Sequence, residues 1–374
     1  PVSSEVEPPR DDPPPTLTLP STQPVPAPTV VPPVEQDSSP HVEKAAGAPV
    51  AIVGAGMLSA VLAVGATRTV RRRRRQASTR TPGISAAPTP DDARDLHRLL
   101  LAEADDLSVD DLRRCLGELA QALAATGTEA RPRIIQHGSD HLDVFLQQPN
   151  DSTPEGWQSH NDGALWTLRD RSASDPESDE ICAAPLLITL GRPDEDGQLY
   201  LDLEAEGLIA LTGDAEAATG IARSLLAELA FTPLADILEV IVIGDLAPPE
   251  AKTLDHVTIT DSWDDVLDDV KSWVQHTHEA LIENGWPNAF VARGADPLHD
   301  ALAPVAVIAT TPPPPELVEH LTAHQPATLA VVAVGEIPGA TTLHCAADSL
   351  TVVDVDLTCS PFPLDEDTLE DLID

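Results

Sequence analysis

The sequence predicts an α/β fold built on a mostly parallel sheet, with a β-rich segment ahead of it. Two patterns after residue 206 point that way. Continuous apolar runs, GLIALTG (207–213), LEVIVIG (238–244), APVAVIAT (303–310) and TLAVVAVG (328–335), read as strands buried on both faces. Between them lie helical stretches of ten or more residues, among them DAEAATGIARSLLAELAF (214–231), SWDDVLDDVKSWVQHTHEALIENG (262–285) and ELVEHLTAHQ (316–325). Strands alternating with helices of that length are joined by crossovers, which makes the sheet parallel and covers both faces. The chain then reads ATTLHCA and SLTVVDVD, an edge hairpin closing the α/β domain at 207–374.

The elements before residue 207 follow from composition. Thirteen of the 37 prolines fall in residues 1–44, a Pro-rich tract that favours extended chain and has too little apolar surface to bury a core. Ala45 to Thr67 runs 23 residues without a charge, long enough at 1.5 Å per residue to cross a hydrocarbon core of about 30 Å. Arg68 and then Arg71, Arg72, Arg73, Arg74 and Arg75 follow at once, and a basic flank of this kind stays in the cytoplasm. The expectation is one transmembrane helix at 45–67 in a plasma membrane. Its disordered spacer (1–44) lies outside, its basic juxtamembrane segment and linker (68–90) inside, and the lipid bilayer is its first partner. Met57 is the only methionine, so the chain reads as part of a longer protein.

Residues 91–130 predict a helical hairpin. In its second arm Leu112, Leu116, Leu119 and Leu123 recur at spacings of three and four, one face of a helix. Residues 131–206 predict a β-rich segment from the short runs RIIQ, LDVFLQ, ALWTL, LLITLG and LYLDLE. The stretch PNDSTPEGWQSHNDG reads as loop, with Trp157 and Trp166 as core or rim aromatics.

Charge bounds the partners. The 374 residues carry 22 Lys+Arg and 62 Asp+Glu, a formal charge of −40. Residues 1–90 hold 9 basic and 7 acidic groups, which leaves 13 against 55, or −42, for the rest. A surface that negative repels phosphate backbones, so direct nucleic-acid binding by this fragment is excluded. Cys115, Cys182, Cys345 and Cys359 form no C-x-x-C pair, which fits buried thiols in a reducing compartment.

Three kinds of chemistry would leave a pattern in the sequence. A phosphate loop needs G-x-x-x-x-G-K-[ST], so that backbone amides wrap the phosphates while Lys neutralises them. Here LTGDAEAATGIARS separates Gly213 and Gly220 by six residues, puts Ile221-Ala222 where Lys and Ser/Thr belong, and adds Asp214 and Glu216. Asp214 reads better as a helix cap. IVIGD (241–245) has the form of a Walker B strand but has no phosphate cradle to serve. His320 and His324 stand four apart, a spacing that helical zinc sites use, without the Glu of H-E-x-x-H or a third ligand; His276 and His278 fall on different faces. No G-x-S-x-G is present, and carboxylate pairs among 62 acids are uninformative. No catalytic residue, metal or cofactor is therefore expected.

Several features together resemble a group of actinobacterial membrane proteins with a LysM module, a Pro-rich spacer, a membrane span with an Arg cluster, a cytoplasmic α/β region and a bacterial transcriptional activator (BTAD-type) domain. The matching residues are the spacer, the span and Arg71 to Arg75. Further matches are Pro154 to Trp157, Trp166 to Leu168, Leu186 to Gly191, Leu201 to Glu204 with Gly207, Leu211 to Asp214, and Leu225 to Phe231 leading into LEVIVIG. More remotely, 207–356 is similar to a degenerate FtsK-type motor, a Rossmann-like or P-loop-like sheet. The first resemblance implies a non-enzymatic, single-span regulator or scaffold with protein partners in the cytoplasm. Peptidoglycan would be reached only through a module outside this chain. The second implies the alternative, a membrane-tethered nucleotide-binding protein or NTPase with a degenerate phosphate loop.

Overall fold

A computed structural model of the chain describes residues 109–169, 182–193, 197–232, 234–235 and 237–373. The spacer, the span, the arginine run, the linker and the first arm of the helical hairpin lie outside those residues. The second arm is α1 (Val109–Thr126), which buries Leu112, Leu116, Leu119 and Leu123 as their spacing predicts.

The β-rich segment is a six-stranded antiparallel sheet. Its strands are β1 (Pro132–His137), β2 (Leu142–Leu146), β3 (Trp157–His160), β4 (Leu165–Leu168), β5 (Leu187–Gly191) and β6 (Gln198–Asp202), in the order β3-β4-β2-β1-β6-β5. β3 falls in the stretch expected to be loop. WQSH is polar and lies at the sheet edge with every second residue exposed, so it carries little of the apolar signal that marks a strand. Trp166 is fully buried and donates from Nε1 to the Asn150 carbonyl at 2.7 Å.

A short helix, α2 (Leu203–Glu206), leads into the second sheet. Here β7 (Leu208–Gly213), β8 (Glu239–Ile243), β9 (Val257–Thr260), β10 (Val305–Ala309), β11 (Leu329–Val334) and β12 (Thr341–Cys345) are parallel, in the order β12-β7-β11-β10-β8-β9. β13 (Leu350–Val352) and β14 (Leu357–Cys359) extend the β12 edge antiparallel, so the expected hairpin gains a third strand. The helices are α3 (Ala215–Phe231), α4 (Leu267–Glu283), α5 (Ala289–Ala295), α6 (Pro315–Ala323) and α7 (Glu366–Ile373).

Alternation along the strands sorts these elements into layers. Ile134 of β1 faces the core that α3 shares with the parallel sheet, while Ile135 faces α1 and α5. Along β7, Ile209 and Leu211 face α3, whereas Leu208 and Ala210 face α4 and α6. The order is therefore α1/α5, antiparallel sheet, α3, parallel sheet, α4/α6. A helix held between two sheets must be apolar on every side, and α3 buries 13 of its 17 residues.

The two sheets are also joined through the chain's return. Arg192 and Ser360 form an isolated antiparallel bridge, with Arg192 N–H donating to the Ser360 carbonyl at 3.1 Å and the reverse bond at 2.8 Å. Gly191 makes that approach feasible: its φ is +148°, and a Cβ there would lie 2.1 Å from the Ser360 oxygen. Gly191→Ala is expected to cost more than about 1 kcal/mol, read as a lowered urea midpoint; an unchanged midpoint would show that the bridge is dispensable.

Candidate functional site

The carboxyl edge of β7 is the candidate site that the topology of the sheet marks. Both neighbours, β12 and β11, are parallel to it. The crossover after β7 runs to β8 on one side and that after β11 runs to β12 on the other, which makes this the topological switch point where open α/β sheets bind ligands. One residue separates strand from helix: β7 ends at Gly213 and α3 begins at Ala215. Gly213 has φ +98°, and a Cβ on it would stand 2.3 Å from the Cys345 carbonyl oxygen. The Asp214 N–H donates to that same carbonyl at 2.9 Å, and the Asp214 carboxylate accepts from Ala217 N–H at 2.9 Å. Asp214 is thus the helix cap that the sequence suggests. The amides of Ala215 and Glu216 have no intrahelical acceptor and point to the crevice end of α3.

Gly220 is not part of this turn. It lies within α3 beneath the returning chain, where a Cβ would come 2.8 Å from Cβ of Pro363, and its carbonyl accepts from Leu364 N–H at 3.0 Å. The two glycines of the expected phosphate loop therefore do different work, one making a strand–helix turn and the other a helix contact. Asp245 is set apart as well. It follows β8, three strands from β7, or about 14 Å at the usual strand spacing. Beyond Asp214, the acidic residue closest in topology is Glu336, which follows β11 after Gly335; β10 is followed by Thr310 and Thr311.

The histidines come together more than their spacing shows. His320 and His324 stack with ring centroids 4.1 Å apart, and His278 of α4 meets His324 edge-on at 5.5 Å. Each has a ring nitrogen within reach of a main-chain carbonyl, those of Lys271, His320 and Pro326 respectively. Among the described residues no group of three His, Cys, Asp or Glu is placed to hold a metal ion.

A buried charge network at the other end of β7 has no motif in the sequence. Arg293 of α5 forks onto Glu204 of α2 at 2.6 and 2.9 Å and also donates to the Ala183 and Leu302 carbonyls. Arg133 of β1 forks onto Glu206 at 2.7 and 2.9 Å and reaches Asp354 at 2.7 Å. Desolvation alone would lower both guanidinium pKa values, but these carboxylates raise them above the ordinary value. Asp202 caps α2 by accepting from Glu204 N–H at 3.0 Å, and burial followed by the charge of Glu204 pushes its carboxyl up to about 7.

No protein-family model matches the chain, and no curated protein matches it. Among solved structures it is similar to the pCW3 conjugation coupling protein TcpA with ATPγS, at 10% identity and a TM-score of 0.37, over 71% of this chain and 99% of that one. It is similar to Thermomonospora curvata EccC (ATPases 2 and 3) in complex with a signal sequence peptide, at 13% identity and 0.40, over 54% of this chain and 47% of that one. EssC (ATPases 2 and 3) from Geobacillus thermodenitrificans gives 12% identity and 0.39, over 54% and 49%. The chain thus spans about half the length of the latter two. The structure shows a mixed α/β architecture with a six-stranded parallel sheet extended at one edge by two antiparallel strands. The expectation of a non-enzymatic regulator of LysM/BTAD type is corrected: two of these structures are described as ATPases and the third as a conjugation coupling protein with ATPγS, and none of the three as a LysM or activator-domain protein. No described helix is long and apolar enough to cross a membrane, and the stretch expected to do so lies outside the described residues.

Proposed function

We propose that the α/β domain is a nucleotide-binding module of P-loop-like type, taking its ligand as a magnesium complex at the carboxyl edge of β7. The observation that carries this is the Gly213–Asp214 turn at the head of α3, set between two parallel neighbours at the switch point of the sheet. Helix ends of this kind attract phosphate through free amides and the positive end of the helix dipole. What the turn lacks sets the terms of binding. No Lys follows Gly220, and Asp214 and Glu336 make the crevice mouth negative, so the phosphates need a divalent cation between themselves and the carboxylates. Affinity is weak, and turnover without a lysine on the phosphates is slow.

The test is calorimetry on the full chain with Mg-ATP, with phosphate release followed in the same samples. Asp214→Asn keeps the helix cap, since Asn caps as well as Asp, and removes the repelling charge. It is expected to tighten binding severalfold and to relax the need for magnesium. Absence of any heat or thermal shift at about 5 mM Mg-ATP, in wild type and variant alike, would remove the proposal.

A further inference from the structure

We propose that a cleft at the amino end of β7 binds a small organic carboxylate. It lies beside Gly207, six residues and so about 20 Å along β7 from the Gly213 turn, and owes nothing to the nucleotide reading. The cleft measures about 400 Å³, within the range of small-molecule sites. Arg131, Gln147, Gln148, Asn288 and Gln325 supply a guanidinium and four carboxamides to its wall, and Pro287, Pro326 and Ala205 supply apolar surface.

One feature is unfinished as it stands, Arg131. Arg293 has Glu204 and Arg133 has Glu206, each as a two-pronged pair, but Arg131 donates to the main-chain carbonyl of Glu204. Its pKa direction differs accordingly: desolvation lowers it, and the charges of Asp202, Glu204 and Glu206 do not make up the loss. Of the other acids of the cluster, Asp202 already serves as the α2 cap and Asp354 is taken by Arg133. A guanidinium in this condition gains most from a planar anion it can grip with two parallel bonds. Gln325 closes the wall beside Gly207, where a Cβ would come 2.6 Å from its Nε2. Glu129 and Glu206 on the same wall select a monoanionic carboxylate over a phosphate dianion, which they would repel more strongly.

The experiment titrates the full chain with N-acetylglycine, its methyl ester and inorganic phosphate, by calorimetry or ligand-detected NMR. N-acetylglycine is expected to bind about tenfold or more tighter than the ester, which lacks the charge. Arg131→Gln should lose about tenfold or more of that affinity. Should Arg131→Gln fail to fold, Gln148→Trp at an exposed position narrows the cleft and should weaken N-acetylglycine alone, leaving Mg-ATP binding as in wild type. Equal binding of acid and ester, tighter binding of phosphate, or no binding of any probe at about 10 mM would each overturn the proposal.

Discussion

Arg293→Ala is expected to destabilise the fold by about 3–5 kcal/mol, a large part of the 5–15 kcal/mol that holds an ordinary domain together. Arg293 and Glu204 are both nearly inaccessible, at 4% and 3% exposure. Removing the guanidinium leaves a carboxylate without a counter-ion in a place water does not reach, and it also strips the Ala183 and Leu302 carbonyls of a donor. Arg293→Lys recovers only part of the loss, because an ammonium cannot span both carboxylate oxygens. The double change Arg293→Met with Glu204→Leu should be far milder than either single loss, since an apolar pair of similar volume avoids the desolvation of two ions. Urea unfolding of the full chain measures all three. A cost below about 1 kcal/mol for Arg293→Ala, the value of an exposed pair, would show that water reaches Glu204.

Glu228 should make stability fall as pH rises, opposite to the usual carboxylate. It sits on α3 at 1% exposure, between the two sheets, and accepts from Thr189 N–H at 3.0 and 2.9 Å and from Thr189 Oγ1 at 2.8 Å. Burial pushes its carboxyl up to about 7, and the Thr189 bonds only partly offset that. The unfolded chain gives up this proton near the ordinary value of 4.5 and the folded chain near 7. Between those values the folded state holds a proton that the unfolded state has lost. The folded state is therefore favoured less and less as pH climbs through that window, by roughly 3 kcal/mol in all, with no further change above it. Asp202 acts in the same sense, from 3.8 to about 7. Glu228→Gln keeps an acceptor for Thr189 and cannot ionise. Its stability relative to wild type should rise from pH 5 to about pH 7 and level off above that. A flat difference across that range would mean that Glu228 is ionised in the folded protein throughout.

The layered architecture explains why some elements are legible in the chain and others are not. β7, β8, β10 and β11 are covered by helices on both faces, so their residues are apolar without interruption and stand out. α1 touches the core on one side and shows a regular stripe. The edge strands β3, β9 and β14 satisfy backbone groups on one side only and expose part of their residues; WQSH is therefore close to loop in composition, and VTIT, though β-branched throughout, is too short to stand out. α7 is short and acidic, EDTLEDLI, and its apolar face becomes apparent only where it meets α3.

The candidate sites divide along the same line. The Gly213–Asp214 turn was readable because a strand end, a glycine and a helix cap are neighbours in sequence. Gly220 misled for that reason too, since proximity in the chain suggested a shared loop when its actual neighbour is Pro363, 143 positions on. His278 joins His320 and His324 only because α4 packs on α6.

Apolar runs and their periods suffice to place the buried strands, the central helix and the cap on it, because local backbone preference and burial on both faces act on consecutive residues. The order of the strands, the fork of Arg293 onto Glu204 across 89 residues, and the solitary position of Arg131 depend on which surfaces meet after the chain has folded. In a chain with 62 acidic residues no spacing rule singles out the few that pair, and only exclusion of water from α2 and its neighbours gives those few their energetic weight.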